Sequence, residues 1–213
     1  KYLMIILAVI IIKTNFSINV QAKEYNRFNN ISIEDGLSQA TVETMMQDSK
    51  GYIWLGTNDG LDRYNGYTFK KYSYEKGQEN SLVNSYILDI KEDSEGNIWV
   101  ATAAGISKIY NDGEKVQNYT SDSESGNLSN DNTTTMLISN SNKIYVGTAE
   151  GINLYDKKTD KFNLIYPELK EEYVNSLAED KYGNIWAGTE NGLYKINVVT
   201  NAIERFESTD DVN

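Results

Sequence analysis

The chain has 213 residues, 39% of them hydrophobic, and 31 acidic against 20 basic side chains give a net charge of −11 and a pI near 4.5. That acidity excludes a nucleic-acid partner and direct contact with an anionic membrane, because phosphate groups are held by clustered Lys and Arg. With no Cys and no His, the chain can form no disulfide, thiolate zinc site, Ser-His-Asp triad or imidazole-held metal, and no catalytic residue, metal or cofactor is expected.

Residues 2–12 form an apolar run of about 11 residues, shorter than the ~18–20 a membrane-spanning helix needs. Lys1 precedes it, and Val20-Gln21-Ala22 follows with small residues where a signal peptidase would read. Residues 1–22 are therefore read as a signal peptide or an N-terminal anchor, with a buried strand as the third reading. The start at Lys1 rather than Met implies that the beginning of the natural chain is missing. Residues 28–36 resemble an outer strand with its exit loop and make a candidate ring-closing strand.

From Asp48 a phrase begins that occurs four times: Asp48-Ser49-Lys50-Gly51-Tyr52-Ile53-Trp54-Leu55-Gly56-Thr57, then Gly60-Leu61, returning at 93–106, 139–152 and 180–193. Its central aromatics, Trp54, Trp99, Tyr145 and Trp186, recur after 45, 46 and 41 residues, the period of a four-stranded propeller blade. Each unit opens on a Leu (Leu37, Leu82, Leu128, Leu169) and continues into a short apolar or β-branched run, from Val42, Ile87, Thr133 and Val174, expected as the inner strand. Asp-x-x-Gly then suits a tight hairpin, since Asp accepts from amides two residues on and Gly tolerates positive φ. The third unit departs from this with Ser139, Asn142 and Tyr145.

The segment around each central aromatic alternates large and small residues as a second strand. The rings are expected to fill the space between neighbouring sheets rather than to stack on sugars, with Gly56, Ala101, Gly147 and Gly188 giving the adjoining sheet room. Gly60, Gly105, Gly151 and Gly192 end the next loop and predict positive φ. A third strand carries Tyr64, Ile109, Tyr155 and Ile196, and outer strands are expected at 69–74, 116–120, 162–166 and 203–207.

The predicted fold is therefore all-β: a β-propeller of four-stranded antiparallel blades, with repeats at about 37–81, 82–127, 128–168 and 169–207, and no helix. Residues 208–213 read as the start of a fifth repeat. Four blades of this size are expected to be a fragment of a larger ring of about seven, the alternative being a closed four-bladed ring.

These residues resemble the two-component regulator propeller family, whose repeats run Asp-x-x-Gly-x-Ile-Trp-x-Gly-Thr-x-x-Gly-Leu-x-x-Tyr. The likeness covers about residues 28–207, and Gly60-Leu61-Asp62-Arg63-Tyr64-Asn65-Gly66-Tyr67 with Phe69 is especially close to that family's first repeat. The resemblance implies an extracytoplasmic sensor, periplasmic or at the cell surface, secreted through a signal peptide and anchored in the membrane in the full-length protein. It further implies a homodimer and a cytoplasmic output module, a histidine kinase or a diguanylate cyclase, beyond these residues.

Propeller ligands sit on the loops joining second to third strands and on those leading into each inner strand. Here these carry Ser38, Gln39, Asn58, Asp59, Asn84, Ser85, Asn130, Asp131, Glu150, Asn175, Glu190 and Asn191, the candidate ligand-binding residues. The set is polar, neutral or acidic, and suits a small molecule or an oligosaccharide rich in hydroxyls. No unit supplies the dense carboxylates of a calcium loop. Two other readings stand beside ligand sensing: a protein-interaction or dimerisation scaffold, and a propeller lyase or hydrolase using paired acids such as Asp59 and Glu150.

Overall fold

The computed structural model describes residues 30–122 and 127–206. Sixteen strands form four separate four-stranded antiparallel sheets, each paired in chain order. The first holds β1 (Val42–Gln47), β2 (Ile53–Thr57), β3 (Gly60–Tyr64) and β4 (Phe69–Tyr72). The second holds β5 (Ile87–Glu92), β6 (Ile98–Thr102), β7 (Gly105–Ile109) and β8 (Val116–Tyr119), and the third β9 (Thr133–Ile138), β10 (Ile144–Thr148), β11 (Gly151–Asp156) and β12 (Lys161–Ile165). The fourth holds β13 (Val174–Glu179), β14 (Ile185–Thr189), β15 (Gly192–Ile196) and β16 (Ile203–Phe206). The inner strands β1, β5, β9 and β13 lie against one another in succession, so the sheets are propeller blades.

Two turns close each sheet. In the first hairpin the Gly51 amide donates to the Asp48 carbonyl (3.0 Å), while Asp48 Oδ1 accepts from the amides of Lys50 (3.0 Å) and Tyr52 (2.9 Å). In the second turn Thr57 Oγ1 donates to the Gly60 carbonyl (2.8 Å) and accepts from the Asp59 amide (3.1 Å). Thr102, Thr148 and Thr189 repeat the first of these bonds. Gly60 has φ of 130°, and a Cβ there would lie 2.8 Å from the Tyr72 carbonyl of β4, so only glycine fits.

The core lies between the sheets. Trp54 with Leu61, Ile87 and Ile98 fills the first interface, Trp99 with Ile106, Met136 and Phe162 the second, and Tyr145 with Ile152, Val174 and Ile196 the third. Trp54, Trp99 and Tyr145 are at most 2% exposed, as expected of wedge-filling rings. The small residues do give room: a Cβ on Gly56 would meet Ile87 Cγ2 of the next sheet at 2.6 Å, and one on Gly147 would meet Val174 Cγ1 at 2.8 Å. Trp186 differs. It is half-buried, stacked on Phe206 of its own sheet at 5.4 Å with Lys195 over its face.

Three local expectations are corrected. Residues 33–35, placed in the candidate ring-closing strand, form a 3-10 turn capped by Ser32, whose hydroxyl accepts from the Glu34 amide. Pro167–Leu169 forms another 3-10 turn where no helical turn was expected, with proline at its start. The outer strand β4 stops at Tyr72 rather than 74, because the Ser73 carbonyl accepts from the Leu82 amide and the Tyr74 amide donates to Ser85 Oγ, turning the chain away from the sheet. The signal-peptide and fifth-repeat segments, 1–22 and 208–213, lie outside the described residues. Among the described residues no helix is long and apolar enough to cross a membrane.

Candidate functional site

The loops entering the inner strands and the turns between second and third strands meet at one end of the sheets, and main-chain bonds hold them there. In the second, third and fourth sheets the carbonyl of the residue just before the inner strand accepts from the second turn of the same sheet: Tyr86 from the Ala103 amide (3.1 Å), Asn132 from Ala149 (3.0 Å) and Tyr173 from Glu190 (3.2 Å). Immediately afterwards the pairing of the inner strand shifts by a bulge, between Ile87 and Asp89 and between Val174 and Ser176. A bulge bends the strand and re-aims the flanking side chains.

The result is a cleft of about 380 Å³ across the mouth of the second, third and fourth sheets, lined by Tyr86, Leu88, Ala103, Asn132, Thr133, Thr134, Tyr173 and Asn175. Two phenol rings face it beside two amides and two hydroxyls. The Thr134 hydroxyl lies within hydrogen-bonding distance of the Gly147 carbonyl (3.0 Å) and also of the Val174 carbonyl, fixing the floor between β9 and β13. Tyr86 is 40% exposed, enough for its ring to meet a solute.

Of the residues predicted from sequence, the cleft takes only Asn175. The others divide between scaffold and rim. Ser38 is held by Asp62, whose fully buried carboxylate accepts from the Ser38 amide (2.7 Å) and hydroxyl (2.8 Å). Gln39 turns its side-chain oxygen inward, where it is buried without a hydrogen-bond partner among the described residues. Asn84 Oδ1 accepts from the Tyr86 amide, Ser85 Oγ from the Tyr74 amide, and Asp131 Oδ1 from the Ser121 amide at 2.6 Å. Asn130 donates to Glu150 Oε1 (3.1 Å) and accepts from the Asn132 amide (2.8 Å), bracing the mouth beside the cleft. Asn58, Asp59 and Glu190 are exposed on the turns, and Asn191 donates to Glu172 Oε2 (3.1 Å).

Sequence reasoning missed Tyr86, Asn132, Tyr173, Thr134 and Glu172. Burial raises the Glu172 carboxyl, but hydrogen bonds from the Tyr194 hydroxyl (2.7 Å), Thr189 (2.9 Å) and Asn191 outweigh it and hold the group below its ordinary value. Glu172 is thus a charged brace under the fourth sheet's mouth. The signal for the tyrosines was weak: the position before each inner strand reads Thr41, Tyr86, Asn132, Tyr173, and the positions on either side vary as well. Among the described residues no group of three or more acidic side chains is placed to hold a metal ion.

Residues 36–59, 81–104 and 168–191 match the sequence model of the family described as two component regulator propeller. A stretch of 64 residues is 39% identical to Histidine kinase P4 of Formosa agariphila, covering 30% of this chain and 5% of that protein. Among solved structures, the extracellular domain of a protein from B. thetaiotaomicron, described as a hybrid two component system, matches with a TM-score of 0.74 and 25% identity over 84% of this chain and 26% of that one. Virginiamycin B lyase from Staphylococcus aureus shares the fold alone, with a TM-score of 0.60 and 16% identity over 82% of this chain and 58% of that one. The chain therefore spans only a small part of the sensor proteins it matches. Three of its repeats thus match the two component regulator propeller model, and its sheets are similar to the extracellular domain of a two component system.

Proposed function

We propose that this chain is a ligand-sensing portion of the extracytoplasmic propeller of a membrane-anchored signalling receptor, and that its cleft binds an oligosaccharide. The observation that carries the reading is the pairing of Tyr86 and Tyr173 with Asn132, Thr134 and Asn175 in one open cleft. Aromatic faces stack on the C–H faces of sugar rings, and neutral amides and hydroxyls exchange hydrogen bonds with sugar hydroxyls without demanding a charge. The likeness to an extracellular sensor domain and to a histidine kinase supports the receptor setting and a kinase output. A lyase reading is less well supported. The S. aureus lyase structure is described as catalytically inactive with a histidine replaced by alanine, and this chain's 213 residues contain no His.

Calorimetric titration of the whole ectodomain against a panel of neutral and acidic oligosaccharides tests the reading. At least one should bind saturably, and Tyr173→Ala should weaken it about tenfold or more, as loss of a central aromatic anchor does. A panel without a single binder, or undiminished binding by the variant, refutes the proposal.

A further inference from the structure

The three interfaces between sheets are built alike except at one place. In the first, Trp54 of β2 stacks on Tyr72 of β4 (5.5 Å between centroids), and the Tyr72 hydroxyl donates to the Gly113 carbonyl in the outer turn of the second sheet (3.1 Å). In the second, Trp99 of β6 stacks on Tyr119 of β8 (5.7 Å), and the Tyr119 hydroxyl donates to Asp160 Oδ1 in the outer turn of the third sheet (2.7 Å). Strand pairing fixes the counterparts in the third interface: Leu61 faces Tyr72 and Ile106 faces Tyr119, so Ile152 faces the equivalent residue, Ile165. The stacked Trp–Tyr pair is therefore replaced by Tyr145 and Ile165.

One ring and its hydroxyl are missing, and a cavity of about 360 Å³ opens in their place. Its lining includes Tyr145, Ile165, Tyr166, Lys143, Val198 and Asn201. Asn201 lies two residues before Ile203, the partner of Ile196, as Asp160 lies two residues before Phe162, the partner of Tyr155, and both have a left-handed backbone (φ 58° against 54°). Its side chain faces the cavity with no tyrosine to bind.

Tyr145 supplies the second observation. In the other three sheets the indole N–H donates to the turn aspartate, at 2.8 Å from Trp54 to Asp48, 2.8 Å from Trp99 to Asp93 and 3.1 Å from Trp186 to Asp180. The third sheet has Ser139 there, and its hydroxyl is engaged with Ser141 (3.0 Å) and the Lys143 amide (3.1 Å). Tyr145 is 2% exposed, lines the cavity, and finds no hydrogen-bond partner for its hydroxyl among the described residues. A hydroxyl that opens into the cavity without a partner is a polar handle for something else.

We propose that the cavity between the third and fourth sheets binds a small free phenol, whose ring takes the place that Tyr72 and Tyr119 fill in the sister interfaces and whose hydroxyl is met by Tyr145 or Asn201. The site is separate from the mouth cleft and independent of the sugar reading: it lies on the outer flank, among β10–β12 and the outer turn of the fourth sheet. Burial pushes the Tyr145 hydroxyl up to about 12, with the neighbouring Tyr166 adding to the rise, so at neutral pH it is a proton-bearing donor and also an acceptor.

The probe is p-cresol, the tyrosine side chain as a free molecule. Titrated into the full chain and followed by NMR, it should saturate with a Kd of ~1 mM or tighter, as a ligand of its size allows. The shifts should be confined to Leu154, Ile165 and Val198. Ile165→Tyr, which builds the missing ring from within, should abolish binding. Should that variant fail to fold, Tyr145→Phe decides: p-cresol affinity should fall about fivefold or more while toluene affinity stays the same. No saturable shift of the wild-type chain below ~10 mM, binding retained by a folded Ile165→Tyr chain, or equal p-cresol affinity in Tyr145→Phe overturns the proposal.

Discussion

A single aspartate organises each of three blades. In the second sheet Asp93 Oδ1 accepts from the amides of Glu95 and Asn97 while Oδ2 accepts from the Trp99 indole, so the residue that closes the hairpin also fixes the ring that fills the wedge. Asp93 is 9% exposed and Trp99 fully buried. Asp93→Ala strands a buried N–H and should cost about 1–3 kcal/mol, read as a lower denaturation midpoint with an unchanged slope. Asp180 carries the same arrangement in the fourth sheet. Hydrogen bonds from Asn184, then from Trp186 and the backbone, outweigh its burial and hold its carboxyl well below the usual range. A folded value below the unfolded one stabilises above the unfolded pKa of ~3.9 and loses that stabilisation as pH falls. The melting temperature should drop between roughly pH 4 and pH 2 in the wild type and less steeply in Asp180→Asn. The turn role of these aspartates is legible in sequence, since Asp-x-x-Gly says which amides need an acceptor. The indole role was not, because a bond across six positions has no local signature. Its trace was the paired departure of Ser139 and Tyr145 from the repeat, two changes that make sense only together.

Between elements, the spacing of sheets is set by positions too small to notice in isolation. A Cβ at Gly56 would come within 2.6 Å of Ile87 and 2.7 Å of Thr44, a branched side chain on either side. Gly56→Ala should destabilise by about 1–3 kcal/mol, and adding Ile87→Val should return part of that loss, a coupling measurable by a double-mutant cycle. At Gly188 the nearest atom is the Ser176 hydroxyl of the same sheet, at 2.6 Å, with no atom of a neighbouring sheet within 4 Å among the described residues. Gly188→Ala should cost distinctly less in the same melts. Strand order and pairing were legible because the two periodicities, two along a strand and about 45 along the chain, are independent and agree. Strand ends were not: whether Ser73 and Tyr74 continue β4 depends on bonds to Leu82 and Ser85 across the following loop, which the repeat itself does not encode.

Across the whole molecule, stability is a chain of nearest-neighbour contacts, since each sheet packs only on the sheets adjacent to it in the chain. The second sheet has a partner on both sides, and every residue of β6 and β7 is buried, whereas β16 is mostly exposed. Native-state hydrogen exchange should therefore be slowest in β6 and β7 and faster by orders of magnitude in β16. Uniform protection across the four sheets would contradict this. At this scale the end that bears the candidate site was legible from loop order alone, and the cleft's lining was not. Polarity picked out Asn, Asp and Glu, while the bulges and the depth of the mouth chose Tyr86 and Tyr173.

Tyr86, Asn132 and Tyr173 hold their places through carbonyl oxygens, which every amino acid possesses, rather than through anything their side chains do for the framework. The cleft lining and its main-chain support are thus carried by different atoms of the same residue. Ring, amide or methyl can be exchanged at these three positions while the main-chain bonds stay in place, so one framework can carry differently lined clefts.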